Sequence, residues 1–366
     1  MKRSLICGLA VLLLAGCGKD DGTVEFEKAE AAYAARDFGA AAVFYGEAAA
    51  KNPTNFEARV KQAVSLMNRG ELQSAQSAVD SALALRPNSG EVVFIDGQLA
   101  YFAKDYARAK KDFNAVASAS ALSSELRSQA LAARAVMEIA AGTFTRARLT
   151  LWRAVRLNRR NAAAWYHLGH LSRDTYRFED AAIEQFGMAA RLTEDPVRAK
   201  AITREVIPAL RESLRSKMSS KPGAAKRDPG ASAKLVAEAE ALAGKDARKS
   251  AAKFAEAYAK DPLSYAAAYN HAKALAASAK TDRQVQAALT AFQDAVDQRP
   301  NSQETYRTAA RAALSRRYPM RAEKFLSQAL AHDPENRRTL ELYVQTLRRL
   351  GRTVEAKLYG DYLKEL

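Results

Sequence analysis

Cysteine is nearly absent, with two residues in 366, Cys7 and Cys17, both close to the N-terminus. A disulfide framework is therefore excluded as the source of stability. Proline (10) and glycine (17) are sparse and sit at the ends of apolar-periodic stretches, where they act as helix stops. Aromatics make up only 8% and β-branched runs are missing, which argues against a sheet protein. Acid is also short: 41 Asp and Glu stand against 57 Lys and Arg, a formal charge of +16. That excess favours anionic partners, whether nucleic acid, acidic polymer, lipid headgroup or acidic protein face, without choosing among them.

Catalytic chemistry is missing as well. There is no glycine-rich phosphate loop, nucleophile elbow or HExxH motif. The four histidines are His167, His170, His271 and His332. His167 and His170 stand one helical turn apart, but no Cys, Asp or Glu cluster joins them on that face, so no metal site is expected. Glu179 and Asp180 read as turn residues. No enzyme activity and no cofactor is expected. What the chain has in quantity is alanine, in almost every block of ten residues. Alanine is the best helix former and lets helices approach closely, so the fold class is all-α.

Residues 1–17 read MKRSLICGLAVLLLAGC. Lys2 and Arg3 precede an apolar run from Leu5 to Ala15, the pattern of an export signal. At roughly a dozen residues the run is short of the ~20 that cross a bilayer as a helix. Its end, Leu14-Ala15-Gly16-Cys17, resembles the lipobox of bacterial lipoproteins. The resemblance implies removal of residues 1–16 and acylation of Cys17, leaving a +14 mature chain with no free thiol. Residues 17–22 then form a polar tether. Gly18, where the enterobacterial sorting rule would need Asp for inner-membrane retention, implies the outer membrane. Several acyl chains make such an anchor stable.

Beyond residue 22 one pattern recurs: a small residue, an apolar one four later, and a small one three after that. It runs through Ala41-Tyr45-Ala48, Ala75-Val79-Ala82, Ala109-Phe113-Val116, Ala147-Leu151-Ala154, Ala182-Phe186-Ala189, Ser250-Phe254-Ala257, Ala288-Phe292-Ala295 and Ala322-Leu326-Ala329. Offsets of four and three place each trio on one helix face. Pro53 to Pro87, and Pro300 to Pro334, are 34 residues apart. Trp165, Leu168 and Gly169, then Phe178, Ala182, Phe186 and Ala189, carry a W-x2-L-G pattern with one extra residue at the turn. Gly97 and Gly70, and Ala29, Ala63, Ala135, Ala272 and Ala310, hold the matching small position. These motifs resemble the tetratricopeptide repeat over roughly nine-tenths of the mature chain. The resemblance implies a right-handed superhelical solenoid of helix pairs. A ninth pair around Leu340, Tyr343, Leu347, Ala356 and Leu363, with Gly360 in the aromatic position, looks like a C-terminal cap.

The repeats are interrupted once. Residues 197–230 join a helix-like run to two Pro-Gly steps and hold nine Lys and Arg against three acids. The expected organisation is therefore two arrays: 23–196 with five pairs, then this basic helix and linker, then 231–366 with three pairs and the cap.

Carried onto this sequence, the family's groove positions give Phe26, Tyr33, Val60, Met67, Phe94, Tyr101, Phe102, Val136, Ile139, Tyr166 and His170. Such an aromatic wall suits a peptide or an amphipathic helix. The C-terminal array presents Lys273, Arg307, Arg311, Arg338, Arg348 and Arg349, with Tyr269, Glu304 and Glu341 among them. Arginine forks bind carboxylate or phosphate. The expected partners are other proteins or peptides and the membrane through the N-terminal lipid. Anionic envelope polymers such as peptidoglycan or acidic polysaccharide are the second class. Export argues against nucleic acid.

Overall fold

A computed structural model describes residues 21–366. Cys17 and the export signal lie outside the described residues. Within them every regular element is helical, and successive helices pair off antiparallel across short turns. The pairs are α1 (Thr23–Ala34) with α2 (Phe38–Lys51), α3 (Phe56–Asn68) with α4 (Leu72–Leu85), and α5 (Gly90–Phe102) with α6 (Tyr106–Ser118). Next come α7 (Ser124–Ala140) with α8 (Phe144–Leu157), and α9 (Ala162–His170) with α10 (Glu179–Leu192). A lone helix follows, α11 (Pro196–Ala201) running on into α12 (Ile207–Ser219). The last four pairs are α13 (Pro229–Leu242) with α14 (Ala247–Lys260), α15 (Tyr265–Ser278) with α16 (Asp282–Gln298), α17 (Gln303–Ser315) with α18 (Pro319–His332), and α19 (Arg337–Arg349) with α20 (Thr353–Lys364).

Local chemistry sets the helix ends. Asp37, Asn55, Ser123, Asn161, Ser264 and Asn336 are N-caps whose side chains accept the backbone N–H three residues on. Caps of this kind are worth ~1 kcal/mol each. The turn within a pair needs a left-handed residue in most cases. Glycine fills it at Gly70, Gly142 and Gly351, but Arg36, Lys104, Arg177 and Arg317 do so elsewhere with φ near 60°. Those four turns carry no glycine for a reader of the sequence to find.

All eight recurring trios are buried, none more than 8% exposed. Their partner position is small because the next helix lies on it. Gly70 is not such a position but a turn residue with nothing within 4 Å of an added Cβ, and buried Ala63 takes its place. A Cβ on Gly169 would stand 2.7 Å from Cδ1 of Phe186. The extra residue after Trp165-x2-Leu168-Gly169 is absorbed as a π-helical turn at Leu171–Tyr176. A second π-helical turn, Ile202–Val206, joins α11 to α12 next to Pro208, which has no N–H to give the Arg204 carbonyl.

Gly22 does not behave as the last link of a flexible tether. It adopts φ 79° at the N-cap of α1, and a Cβ there would meet the Ala48 carbonyl oxygen at 2.6 Å. The folded chain has begun by that residue.

The chain forms two compact units, which divide between Val116 and Ala117 and not at the Pro/Gly-rich stretch. The first holds three pairs around a core that includes Val60, Ala63, Leu66, Val79, Ile95 and Leu99. The second holds the other six. There the later pairs fold back on α8 and α10. Tyr359 and Tyr362 of α20 are fully buried, 6.1 and 5.7 Å from the Trp152 ring. Gln185 of α10 donates to the Ala331 carbonyl at the end of α18. The ninth pair therefore does not end the stack with a free outer face: α20 spends its tyrosines on α8. The basic segment is also fastened down. Lys217 pairs with Glu179, and Lys221 with Asp294 and Asp297 of α16. Among the described residues no helix is long and apolar enough to cross a membrane.

Candidate binding surfaces

In the first unit the expected aromatic wall divides by burial. Phe26 is half-buried, edge-on to Tyr45 at 5.5 Å, with the Lys61 ammonium 5.2 Å from its ring centre. Val60 is 4% exposed within the core, and Met67 packs against that core. Phe94 lies 5.7 Å from Phe113. These four are packing residues first. Successive helix positions are about 100° apart, so a shift of one moves a side chain from groove to inter-pair core.

Tyr33 and Phe102 face solvent instead, at 37% and 55% exposure. Tyr33 sits edge-on to Phe38 at 5.4 Å. Tyr101 lies 5.8 Å from Phe102 and 5.9 Å from Tyr106, which is itself exposed. The exposed rings thus gather at the turns inside the first and third pairs rather than along the helices. Tyr106 was missed as a surface residue because it starts a second helix. Three aromatics within Tyr101–Tyr106 were the available signal.

In the second unit Val136 and Ile139 are partly buried on α7, and Ile139 packs on the large core. Tyr166 and His170 lie 4.6 Å apart, and both rest on Phe186. The Arg198 guanidinium of α11 stands 5.4 Å over Tyr166, while Ile202, Ile207 and Leu210 complete a core with Phe186. The lone helix therefore covers the wall expected here. His170 reaches Asp174 at 3.1 Å. Burial, with the nearby His170 and Arg198, pushes His167 down to about 4 and keeps its ring neutral.

The basic residues separate into groups. Lys273 lies 5.2 Å over the Tyr269 ring. Arg307 donates to Asn336 Oδ1 and Thr339 Oγ1, both at 3.2 Å. Burial, then repulsion from Arg311 and Arg338, holds its pKa below the ordinary value. The structure has brought Arg307, Arg311 and Arg338 together across α17 and α19. Arg311 and Arg338 are exposed and have no carboxylate partner among the described residues. Arg348 and Arg349 are exposed at the end of α19, where Arg348 borders a separate groove of about 410 Å³ with Lys357 and Lys364. Among the described residues no group of three or more His, Cys, Asp or Glu is placed to hold a metal.

The tetratricopeptide repeat family matches residues 32–93, from the end of α1 into α5. Over that stretch the helix pairs are tetratricopeptide repeats, and the pairs beyond it share the same antiparallel helix-turn-helix form. No curated protein matches the chain. Among solved structures, PilF of Pseudomonas aeruginosa is 15% identical with a TM-score of 0.42, over 55% of this chain and 93% of its own. A MamA fragment from Desulfovibrio magneticus RS-1 is 20% identical with a TM-score of 0.37, over 47% and 95%. A tetratricopeptide repeat protein from Parabacteroides merdae is 12% identical with a TM-score of 0.35, over 89% and 99%. Likenesses this distant carry no functional weight. Stacked repeats of this kind create extended concave surfaces.

Two polar clusters where the repeats fold back have no counterpart in the repeat pattern. Arg148 of α8 is 3% exposed. Its Nε donates to the Tyr359 hydroxyl at 2.9 Å and its Nη1 to Ser327 Oγ at 2.9 Å, with the Tyr176 ring 4.1 Å beneath. His332, in the last turn of α18, reaches Asp180 through Nε2 and Glu184 through Nδ1, both at 3.0 Å. Asp180, which read as a turn residue, also accepts from Gln328 and from the Ala181 backbone. Burial opposes charging His332, but the two carboxylates outweigh it and push its pKa up to about 9. Both clusters hold early repeats to late ones; their groups are spoken for.

Proposed function

We propose that the protein is a lipid-anchored adaptor of the cell envelope. It is held at the outer membrane through Cys17, faces the periplasm, and recruits a protein or peptide for envelope assembly, secretion, pilus or polysaccharide export. The lipobox-like Leu14-Ala15-Gly16-Cys17 supports the address, and the tetratricopeptide scaffold supports the role. One observation carries the binding side: the exposed rings of Phe102 and Tyr106, with half-buried Tyr101 in contact with both, in the first unit. Rigid aromatic side chains lose little entropy on contact and dominate interface energetics.

Proximity labelling from the full-length protein tests this. Envelope-assembly or export proteins should be tagged, and Phe102→Ser with Tyr106→Ser should cut their labelling about tenfold or more. Cys17→Ser should move the protein from the membrane to the soluble fraction. Labelling that enriches no such component, or that ignores the double variant, counts against the reading.

The Arg307, Arg311 and Arg338 trio favours a second reading, a structural protein gripping peptidoglycan or acidic polysaccharide. Its mark is sedimentation with purified polymer that disappears in high salt and in Arg311→Glu.

A further inference from the structure

The fold-back in the second unit leaves a cleft of about 620 Å³ bounded by α9, α10, α12 and the end of α18. Its apolar lining includes Trp165, Ile183, Met188 and Ile207. Arg191 and Arg211 line it too. Both are exposed, and neither has a carboxylate partner among the described residues; Arg191 contacts only the Met188 sulfur. The one acid in the lining, Glu184, is already engaged by His332. The cleft is thus mainly apolar, with Gln185, Thr203 and the engaged His332 as further polar lining, and positive at its lip.

Gly187 is the telling residue. It sits in the interior of α10, where glycine weakens a helix relative to alanine. Packing does not require it, since the nearest atom to an added Cβ is the end of the Arg191 side chain at 3.8 Å. That contrasts with Gly169 in the same pair, whose missing Cβ makes room for Phe186. Gly187 lines the cleft and leaves the α10 wall there without a Cβ.

We infer that this cleft is a second binding site, independent of the first unit, for a short acidic peptide segment. An apolar side chain of the segment enters between Trp165 and Ile207, its backbone crosses Gly187, and its carboxylates meet Arg191 and Arg211. The volume suits a ligand of a few residues, and Arg forks match carboxylates bidentately. The site stands outside the expected groove of first helices, because α10, α12 and α18 build most of it.

Tryptophan fluorescence of the full mature chain tests the assignment, since Trp165 lines the cleft and the other tryptophan, Trp152, is buried at 1% exposure. The probe is a capped pentapeptide alternating aspartate and leucine, with lysine–leucine and aspartate–serine versions as controls. The aspartate–leucine peptide should give a saturable change that Trp165→Phe removes. Both controls should bind at least about tenfold more weakly, since each lacks one of the two recognised groups. Arg191→Glu with Arg211→Glu, at exposed positions, should lose about tenfold or more for that peptide and gain for the lysine version. Gly187→Leu should block binding while raising the thermal midpoint. No saturable change with the aspartate–leucine peptide overturns the inference. So does an affinity unmoved by the charge reversal, or by Gly187→Leu in a chain that still unfolds cooperatively. Phosphatidylglycerol vesicles binding in an Arg191- and Arg211-dependent way, with the peptide silent, would overturn it in favour of a lipid surface.

Discussion

His332 ties stability of the second unit to pH, with a sign the geometry fixes. Its side chain is 2% exposed between Asp180 and Glu184. Folding raises its pKa from 6.5 to about 9. At 1.36 kcal/mol per unit, a rise of that size corresponds to about 3 kcal/mol of protonation-linked stability. A raised pKa favours the folded state fully below pH 6.5, and the contribution drains away as pH climbs through 9. Asp180 works at the other end: burial opposes its ionisation, but the bond to His332 wins and holds its pKa below 3.8, so its share is lost only in acid. The variant His332→Gln keeps a polar amide that can donate but no charge, leaving the two carboxylates without a cation between them. Urea unfolding followed by tryptophan fluorescence reads the second unit alone, because Trp152 and Trp165 both lie there. Below pH 6.5 the variant should be less stable by about 3 kcal/mol, a midpoint shift of about 1–3 M. Above pH 9 His332 is neutral, as Gln is at every pH, and the gap should close. A gap that stays constant or widens from pH 6.5 to 9 would refute the reasoning.

Other perturbations separate packing from polar effects. Tyr359→Phe should cost about 2–3 kcal/mol in thermal unfolding, because it strips two guanidinium bonds from a buried Arg148. Arg148→Ala should cost about 3 kcal/mol or more by emptying the space between Tyr176, Ser327 and Tyr359. The two glycines of the fifth pair should move in opposite directions. Gly169→Ala should destabilise by about 1–3 kcal/mol through Phe186, while Gly187→Ala should stabilise by about 0.5–1 kcal/mol through helix propensity alone. Equal shifts in the same denaturation assay would contradict the Cβ distances.

The repeat was legible because its signal is local. Small-apolar-small spacing at four and three marks the buried stripe of one helix, and burial of all eight trios follows from that stripe alone. The groove was less legible. Val60 and Phe102 occupy corresponding kinds of position by family pattern, yet one is in the core and the other in solvent. The difference lies in the rotation of each helix against its neighbours, to which a one-dimensional register is blind. The fold-back was not legible in α8 and α18, whose Arg148, Thr150, Ser327 and Gln328 read as polar positions yet are buried in the structure. Every residue from Ala147 to Val155 except Arg153 is buried, as is every residue from Phe325 to Ala331. A repeat helix needs one buried stripe, so burial all round is the mark of a second neighbour, visible only in the structure.

By itself, then, the sequence determined the helices, their pairing and their caps, because each depends on residues within about one repeat of each other. It also supplied the lipobox-like motif at Cys17, which lies outside the described residues. Tertiary structure alone decided which late repeats meet which early ones. Arg148 with Tyr359, and His332 with Asp180, join residues separated by 211 and 152 positions. No periodicity reaches across such gaps; only the accumulated rotation from pair to pair brings these side chains together.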